Sequence, residues 1–291
     1  MQLATETCTE AAPGAVNEDA YRVGDGWAFV LDGAGRYPGH TGGCTHAITW
    51  VVERLATRLE AELAAAGPGQ TLTAATAEAI QRTCADHGPG CDLTDPLSPG
   101  AALAVLRVAG DRVEWLVLAD CAVVLEHPDR TYTVVIDDRV DQLRGAPIAE
   151  GAVRTYTPEF VRTVRNQPGG FWVASAVPAA ADEALTGSVP REDVDRALLC
   201  SDGVSRLTER YGWTWADVFD LAENGLYGVI GAVRAAETSD PDPRRWRGKP
   251  HDDATAVWLT LANLTRDVCP RVNGCRSTRS VSVPGLGSAA S

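Results

Sequence analysis

Apolar residues along this chain follow two different rhythms, and the switches between them mark the elements. In "GWAFVLDGAG" a run of Trp, Ala, Phe, Val and Leu stops at Asp32 and opens into a Gly-rich turn, which predicts a buried strand ending at that carboxylate. "THAITWVVERLATRLEAELAAAG" instead spaces its apolar residues at helical intervals and stops at Gly67, and "TAATAEAIQRTCADHG" predicts a second helix. Short β-rich runs follow in "AALAVLRVAGDRVEWLVLADCAVVLEH" and "RTYTVVIDD", broken by Gly-Asp and Pro-Asp turn signals that suit an antiparallel meander. Residues 139–190 are rich in Pro, Gly and Ala, and "GGFWVAS" is their one clear strand. Beyond them, "DRALLCSDGVSRL" predicts a strand ending at Asp202, "TWADVFDLAENG" and "LYGVIGAVRAAE" predict helices, and "ATAVWLTL" a final strand. The Ser/Gly/Arg-rich stretch "RVNGCRSTRSVSVPGLGSAAS" is expected to be disordered.

Composition narrows the class. A chain of 291 residues, 45% hydrophobic and 22% charged, can bury a full core and favours one large domain. The pattern divides it into a globular domain over 1–262 and a tail over 263–291. A formal net charge of -13 excludes nucleic acid and anionic membrane as expected partners, since both would be repelled, and suits a site that collects cations. The eight cysteines form no CxxC pair and no compact Cys/His zinc pattern. The first residues, "MQLATETCTEAAPG", carry no basic-then-apolar leader, and no window approaches membrane-spanning length. A reduced, cytoplasmic protein is expected.

The chemistry lies in the carboxylates. "KPHDDATAVWLTL" sets Asp252 and Asp253 side by side at the mouth of a buried strand, where like charges repel unless a proton or a cation compensates. Asp32 and Asp202 also end apolar strands, "VNEDAY" places Glu18 and Asp19 ahead of a short apolar alternation, and "VLADCAVVL" puts Asp120 between two strands. Any one Asp-Gly at a strand end is ordinarily a turn. Together they predict oxygen ligands gathered at one sheet edge, and hard oxygen donors favour Mg²⁺ or Mn²⁺ over Zn²⁺.

The ordered set "NEDAY", "VLDGAG", "LADC", "CSDGV" and "HDDATAV" resembles the successive motifs of the metal-dependent type 2C protein phosphatases in their bacterial single-domain form, over roughly residues 16–261. The resemblance implies an α+β fold, a four-layer αββα sandwich of two antiparallel sheets flanked by helices. It implies that Asp32 bridges two Mg²⁺ or Mn²⁺ ions, that Glu18 and the Gly33 carbonyl complete one ion's ligands, and that Asp202 and Asp252 hold the other. Water activated between the ions would attack phosphorus directly. Asp19 would orient that water, Asp253 would support the ligands from behind, and His40 would protonate the leaving alkoxide, with His251 as a competitor.

Three departures from the family pattern bear on function. The Arg that commonly grips substrate phosphate, four residues before the metal-binding Glu, is here Gly14. Its replacements are expected among Arg22, Arg36, Arg206 and the cluster "RRWRGK", which holds Arg244, Arg245, Arg247 and Lys249. Ala119-Asp120-Cys121 stands where relatives often read Gly-Asp-Ser, and Arg206 stands where an Asp often follows. A third ion would therefore keep Asp120 and lose a partner. The expected activity is phosphomonoester hydrolysis on Ser/Thr phosphoproteins; the alternatives are a phosphatase for a small phosphorylated metabolite and a catalytically weak, phosphatase-like binding module.

Overall fold

The apolar runs of the central strands are continuous because both of their faces are buried, each against a different layer. In the computed structural model, which describes residues 3–261 apart from 36, 38, 41, 68, 144, 145 and 150–152, twelve strands and six α-helices are seen among the described residues. One five-stranded antiparallel sheet has the order β1 (Ala4–Glu10), β12 (Ala254–Thr260), β11 (Arg196–Cys200), β6 (Ala122–Glu126), β7 (Tyr132–Ile136). The other runs β10 (Leu185–Pro190), β5 (Arg112–Leu118), β4 (Gly100–Ala109), β3 (Trp27–Ala34), β2 (Asp19–Gly24). A small hairpin pairs β8 (Ile148–Ala149) with β9 (Thr155–Tyr156).

Side-chain alternation assigns the layers. Along β3, Trp27, Phe29 and Leu31 face α1 (Ile48–Ala65) and α2 (Leu72–Asp86), while Ala28 and Val30 face the other sheet. Along β12, Val257 and Leu259 face between the sheets, and Ala256 and Trp258 face α4 (Asp202–Glu209), α5 (Trp215–Ala222) and α6 (Leu226–Ser239). The helices answer with stripes at 3.6-residue spacing, Val52, Leu55, Ala56 and Leu59 on α1 and Leu226, Val229, Ile230 and Val233 on α6. The result is the four-layer αββα sandwich expected from the sequence. Burying one such Leu or Phe contributes about 1.5–3 kcal/mol.

The predicted elements differ from the observed ones where burial is one-sided or local. β1, with mostly exposed side chains, is an edge strand carried by its ladder to β12, so no apolar alternation announces it. "GGFWVAS" is not a strand: Phe171 to Ala174 are buried in the core, but their only ladder pairings among the described residues are the isolated bridges Arg165↔Phe171 and Ala101↔Ala174. The segment before it forms the short helix α3 (Pro158–Val164), capped by the Thr157 hydroxyl. β11 ends at Cys200, and Asp202 opens α4 rather than closing the strand. The predicted tail lies outside the described residues.

Candidate metal centre

Strand ends from both sheets deliver carboxylates to one end of the sandwich. Asp19, the first residue of β2, pairs in register with Asp32 of β3, and the Glu18 carbonyl accepts the Gly33 backbone N–H at 3.2 Å. Gly33 is required there, because a Cβ would sit 2.6 Å from the Ile48 side chain and 2.7 Å from the Glu18 oxygen. Asp120 occupies the turn that carries the chain from β5 in one sheet to β6 in the other. Its predecessor Ala119 adopts φ 61°, a left-handed conformation that glycine accepts more readily than alanine. β11 and β12 are neighbours, so Asp202 just after one and Asp252 just before the other arrive together. Gly203 permits this approach: a Cβ there would lie 1.9 Å from the Asp253 carbonyl oxygen.

The electrostatics show how closely these groups crowd. Burial, then the charges of Asp19, Asp202, Asp252 and Asp120, push the Asp32 carboxyl well above the usual carboxylate range. Burial with Asp253 and Asp252 nearby raises Asp19 to about 7, against the hydrogen bonds it receives. Burial and Asp202 raise Asp120 to about 7 and Asp252 to about 6. Asp202 is the exception: burial would raise it too, yet Arg206, Arg210, Arg247 and Lys249 hold it below the usual value. Asp19 Oδ1 and Asp202 Oδ1 are buried and accept no hydrogen bond. Crowded carboxylates with uncapped oxygens beside the Gly33 backbone fit hard divalent cations, and the neighbouring Cys121 is held as a thiol by burial and by the charges of Asp32, Asp120 and Asp19. Asp253 stands behind them, accepting the backbone N–H of Ala12 and of Glu18 at 2.8 Å each, and so fixes where Glu18 can reach. Ser201 donates to Asp19 Oδ2 at 2.9 Å.

The expected phosphate-binding residues separate. Lys249 reaches the site, its Nζ 2.9 Å from Asp252 Oδ1 and 3.9 Å from Glu18 Oε2, with its side chain still 43% exposed. Arg247 lies close enough to oppose the rise of Asp120 and to help lower Asp202, stacks on Tyr156 and donates to Asp141 at 2.7 Å. Arg245 is bonded to Asp240, and Arg22 to Glu53 on the face of α1. Neither points to the carboxylates. Arg206 does, but from beneath: its side chain is fully buried, donating to Glu237 Oε1 at 2.7 Å and Asp252 Oδ2 at 3.0 Å. With no exposed surface and three carboxylate neighbours it neutralises the site's floor, so a direct substrate contact is not what its placement provides. Arg36 lies outside the described residues. His40 sits on an exposed turn bridged to Tyr37, and His251 Nδ1 is 3.1 Å from Glu237.

Two residues escaped the sequence reading. Glu237 of α6 is buried and receives Arg206, Arg234 and the Asp252 backbone N–H. Its signal was present, since it falls four residues after Val233 on the apolar stripe, where a charge demands a partner. Arg165, at the end of α3, is 2% exposed, abuts Gly35 and Gly100, and its two terminal nitrogens have no hydrogen-bond partner. It lies in the Pro/Gly/Ala-rich stretch 139–190, where no motif marks it.

Comparison with known proteins accords with this geometry. The family model described as protein phosphatase 2C matches residues 9–226. A search of curated proteins by sequence gives no match. Among solved structures, the Mycobacterium tuberculosis serine/threonine phosphatase PstP/Ppp superposes with a TM-score of 0.55 at 21% identity, over 90% of this chain and 99% of that one. The catalytic domain of PstP in complex with two manganese ions gives 0.53 at 19%, over 89% and 97%. A Caenorhabditis elegans sex-determining protein gives 0.57 at 13%, with 90% of this chain aligned to 65% of that one, so the chain spans about two thirds of its length. At these identities the structures show a shared fold; the sequence model covers most of the chain, its span running from β1 to the start of α6, and on that ground the chain belongs to the protein phosphatase 2C family of metal-dependent protein phosphatases.

Proposed function

We propose that the chain hydrolyses phosphomonoesters on Ser and Thr residues of proteins, with two Mg²⁺ or Mn²⁺ ions held by Glu18, Asp32, the Gly33 carbonyl, Asp202 and Asp252. The observation that carries this reading is the convergence on Asp32 of four further Asp carboxylates from separate strand ends. When bound, such ions acidify water for attack on phosphorus and neutralise charge on the phosphoryl oxygens. In this reading Asp19, which accepts a hydrogen bond from Ser201, would orient the attacking water, and Asp120 would support a weaker third ion. His40 is the proton donor to the leaving group in this reading. Lys249 and Arg247 supply the positive charge that Gly14, on an exposed turn, does not. Free thiols at all six described cysteines support a reduced, cytoplasmic setting, and no described helix is long and apolar enough to cross a membrane.

One observation favours the binding-module reading. Both oxygens of Asp252 are engaged by protein cations, Oδ1 by Lys249 and Oδ2 by Arg206, and a ligand so occupied holds a metal less firmly. Phosphate release from an aryl phosphate and from phosphopeptides, with and without Mn²⁺, separates the two. Catalysis predicts metal-dependent turnover that Asp32→Asn and Asp202→Asn each reduce by about a hundredfold or more while leaving the fold intact. Turnover near the wild-type level in either variant removes the site assignment, and metal-independent phosphopeptide binding without turnover establishes the module.

A further inference from the structure

A second cluster of ligating side chains stands apart from the carboxylates, on the face where the loop after β3 meets the end of α2. Cys44 and His46 lie in that loop just before α1; His87 caps the C-terminus of α2, and Cys91 follows one short turn later. Cys44 Sγ is 3.5 Å from His46 Nδ1 and 3.7 Å from His87 Nε2. Cys91 Sγ is 3.6 Å from Cys44 Sγ and 3.4 Å from His46 Nδ1. Zn–S bonds of about 2.3 Å and Zn–N bonds of about 2.0–2.1 Å at tetrahedral angles place neighbouring ligand atoms roughly 3.4–3.8 Å apart. Four of the six pairwise separations fall in that range; Cys44, His46 and His87 present ligand atoms all within 4.8 Å of one another, and Cys91 joins them through Cys44 and His46.

The surroundings are those of a built site. His87 Nδ1 lies 3.3 Å from the Thr83 carbonyl oxygen; donating there, it leaves the Nε2 lone pair turned to Cys44. The His46 backbone N–H points at Cys44 Sγ at 3.4 Å, and the Thr45 hydroxyl lies 3.6 Å from Cys91 Sγ, contacts that stabilise thiolate charge. Trp50 walls the cluster, stacked on His46 at 3.8 Å and edge-on to His87 at 4.9 Å. Cys44 is buried.

We propose that Cys44, His46, His87 and Cys91 bind one structural Zn²⁺ ion in a closed Cys₂His₂ site. Loading releases the two thiol protons to solvent and leaves two thiolates and two neutral imidazoles around the ion, a set without net charge. With four protein ligands no position remains for water, so the ion is structural. Its role is to clip the loop that leaves Asp32 and carries His40 onto the segment after α2, where the Asp92 backbone N–H already donates to the Gly43 carbonyl at 2.6 Å. The sequence shows no compact zinc pattern because the ligand pairs, Cys-x-His and His-x₃-Cys, are separated by the whole of α1 and α2.

The test uses the full chain purified under a non-metal-binding reductant. Elemental analysis should find about one tightly held zinc per chain, and Co²⁺ in its place should give the intense visible bands and thiolate charge-transfer absorption of a tetrahedral thiolate site. Cys91→Ser and His46→Ala should lose both the zinc and the cobalt signature, whereas Asp32→Asn should keep them, which separates this site from the carboxylate centre. Reduced wild-type protein that takes up neither metal overturns the proposal without recourse to any variant. So does zinc retained unchanged in Cys91→Ser, or a Cys44–Cys91 disulfide whose reduced form binds no zinc.

Discussion

Lys249 carries the sharpest residue-scale consequence, because it alone of the basic cluster both touches the carboxylates and keeps solvent exposure. Burial by itself would lower its ammonium pKa; Asp252, aided by Asp32 and Glu18, raises it instead, so the charge is secure. Charge-assisted bonds to phosphate are worth about 1.5–3 kcal/mol, so Lys249→Gln should lower kcat/KM by roughly tenfold to a hundredfold. Mn²⁺ binding should be unchanged or tighter, since a competitor for Asp252 is gone. Arg245→Gln, whose residue is bonded to Asp240, should leave both nearly unaltered. Steady-state kinetics at saturating Mn²⁺ beside a Mn²⁺ titration checks this, and lost metal loading in Lys249→Gln would contradict it. The carboxylates were legible as residues because each interrupts an apolar run at its end. Which basic residue faces them was not, since a charge run on a loop carries no periodicity to orient its members.

At the scale of elements, α4 and α6 meet the start of β12 through one buried ionic network rather than through apolar contact alone. Arg206 of α4 and Glu237 of α6 are both fully buried in their side chains and 2.7 Å apart, and Arg234 joins Glu237 at 2.8 Å and the Asp252 carbonyl at 2.7 Å. Removing one member strands the other, which costs about 3–5 kcal/mol. Glu237→Leu should destabilise by that amount in urea unfolding. The double variant Arg206→Met with Glu237→Leu should cost clearly less than the two single losses added, because the two charges that strand each other leave together, while Asp252 and Arg234 each lose one partner in either case. Additive losses would show that the pair is not coupled. The same contrast explains what was legible among the elements. Helices with a full apolar stripe and strands buried on both faces could be read, but β1 and β10 are held mainly by their ladders to β12 and β5, and ladder partners are invisible in a single sequence.

Over the whole molecule, an acidic chain gathers its carboxylates from both sheets at one end of the sandwich, so the stability of the fold is tied to what neutralises them. Without metal the neutraliser is the proton. Asp32 titrates well above the carboxylate range, Asp19 and Asp120 at about 7 and Asp252 at about 6 in the folded state, against about 3.9 in an unfolded chain. Between those limits the folded state holds protons that the unfolded state has released, so the contribution is full below about pH 4 and is lost as the pH rises through 6 and 7. Asp202 runs the other way, its lowered value keeping it ionised and paired until the solution is strongly acidic. The metal-free protein should therefore melt several degrees lower at pH 8 than at pH 5.5, given that 1 kcal/mol moves a domain of this size by roughly 2–4 °C. Divalent ions need the ionised carboxylates, so the stabilisation by saturating Mn²⁺ should grow over the same interval and vanish on chelation. Thermal melts from pH 5.5 to 8, with chelator and with Mn²⁺, give both slopes. In Asp32→Asn the metal-free slope should flatten, because the group at the centre of the repulsion no longer ionises. A metal-free melting temperature that is level or rises across this interval would mean that burial and mutual charge do not hold protons on these carboxylates in the folded state.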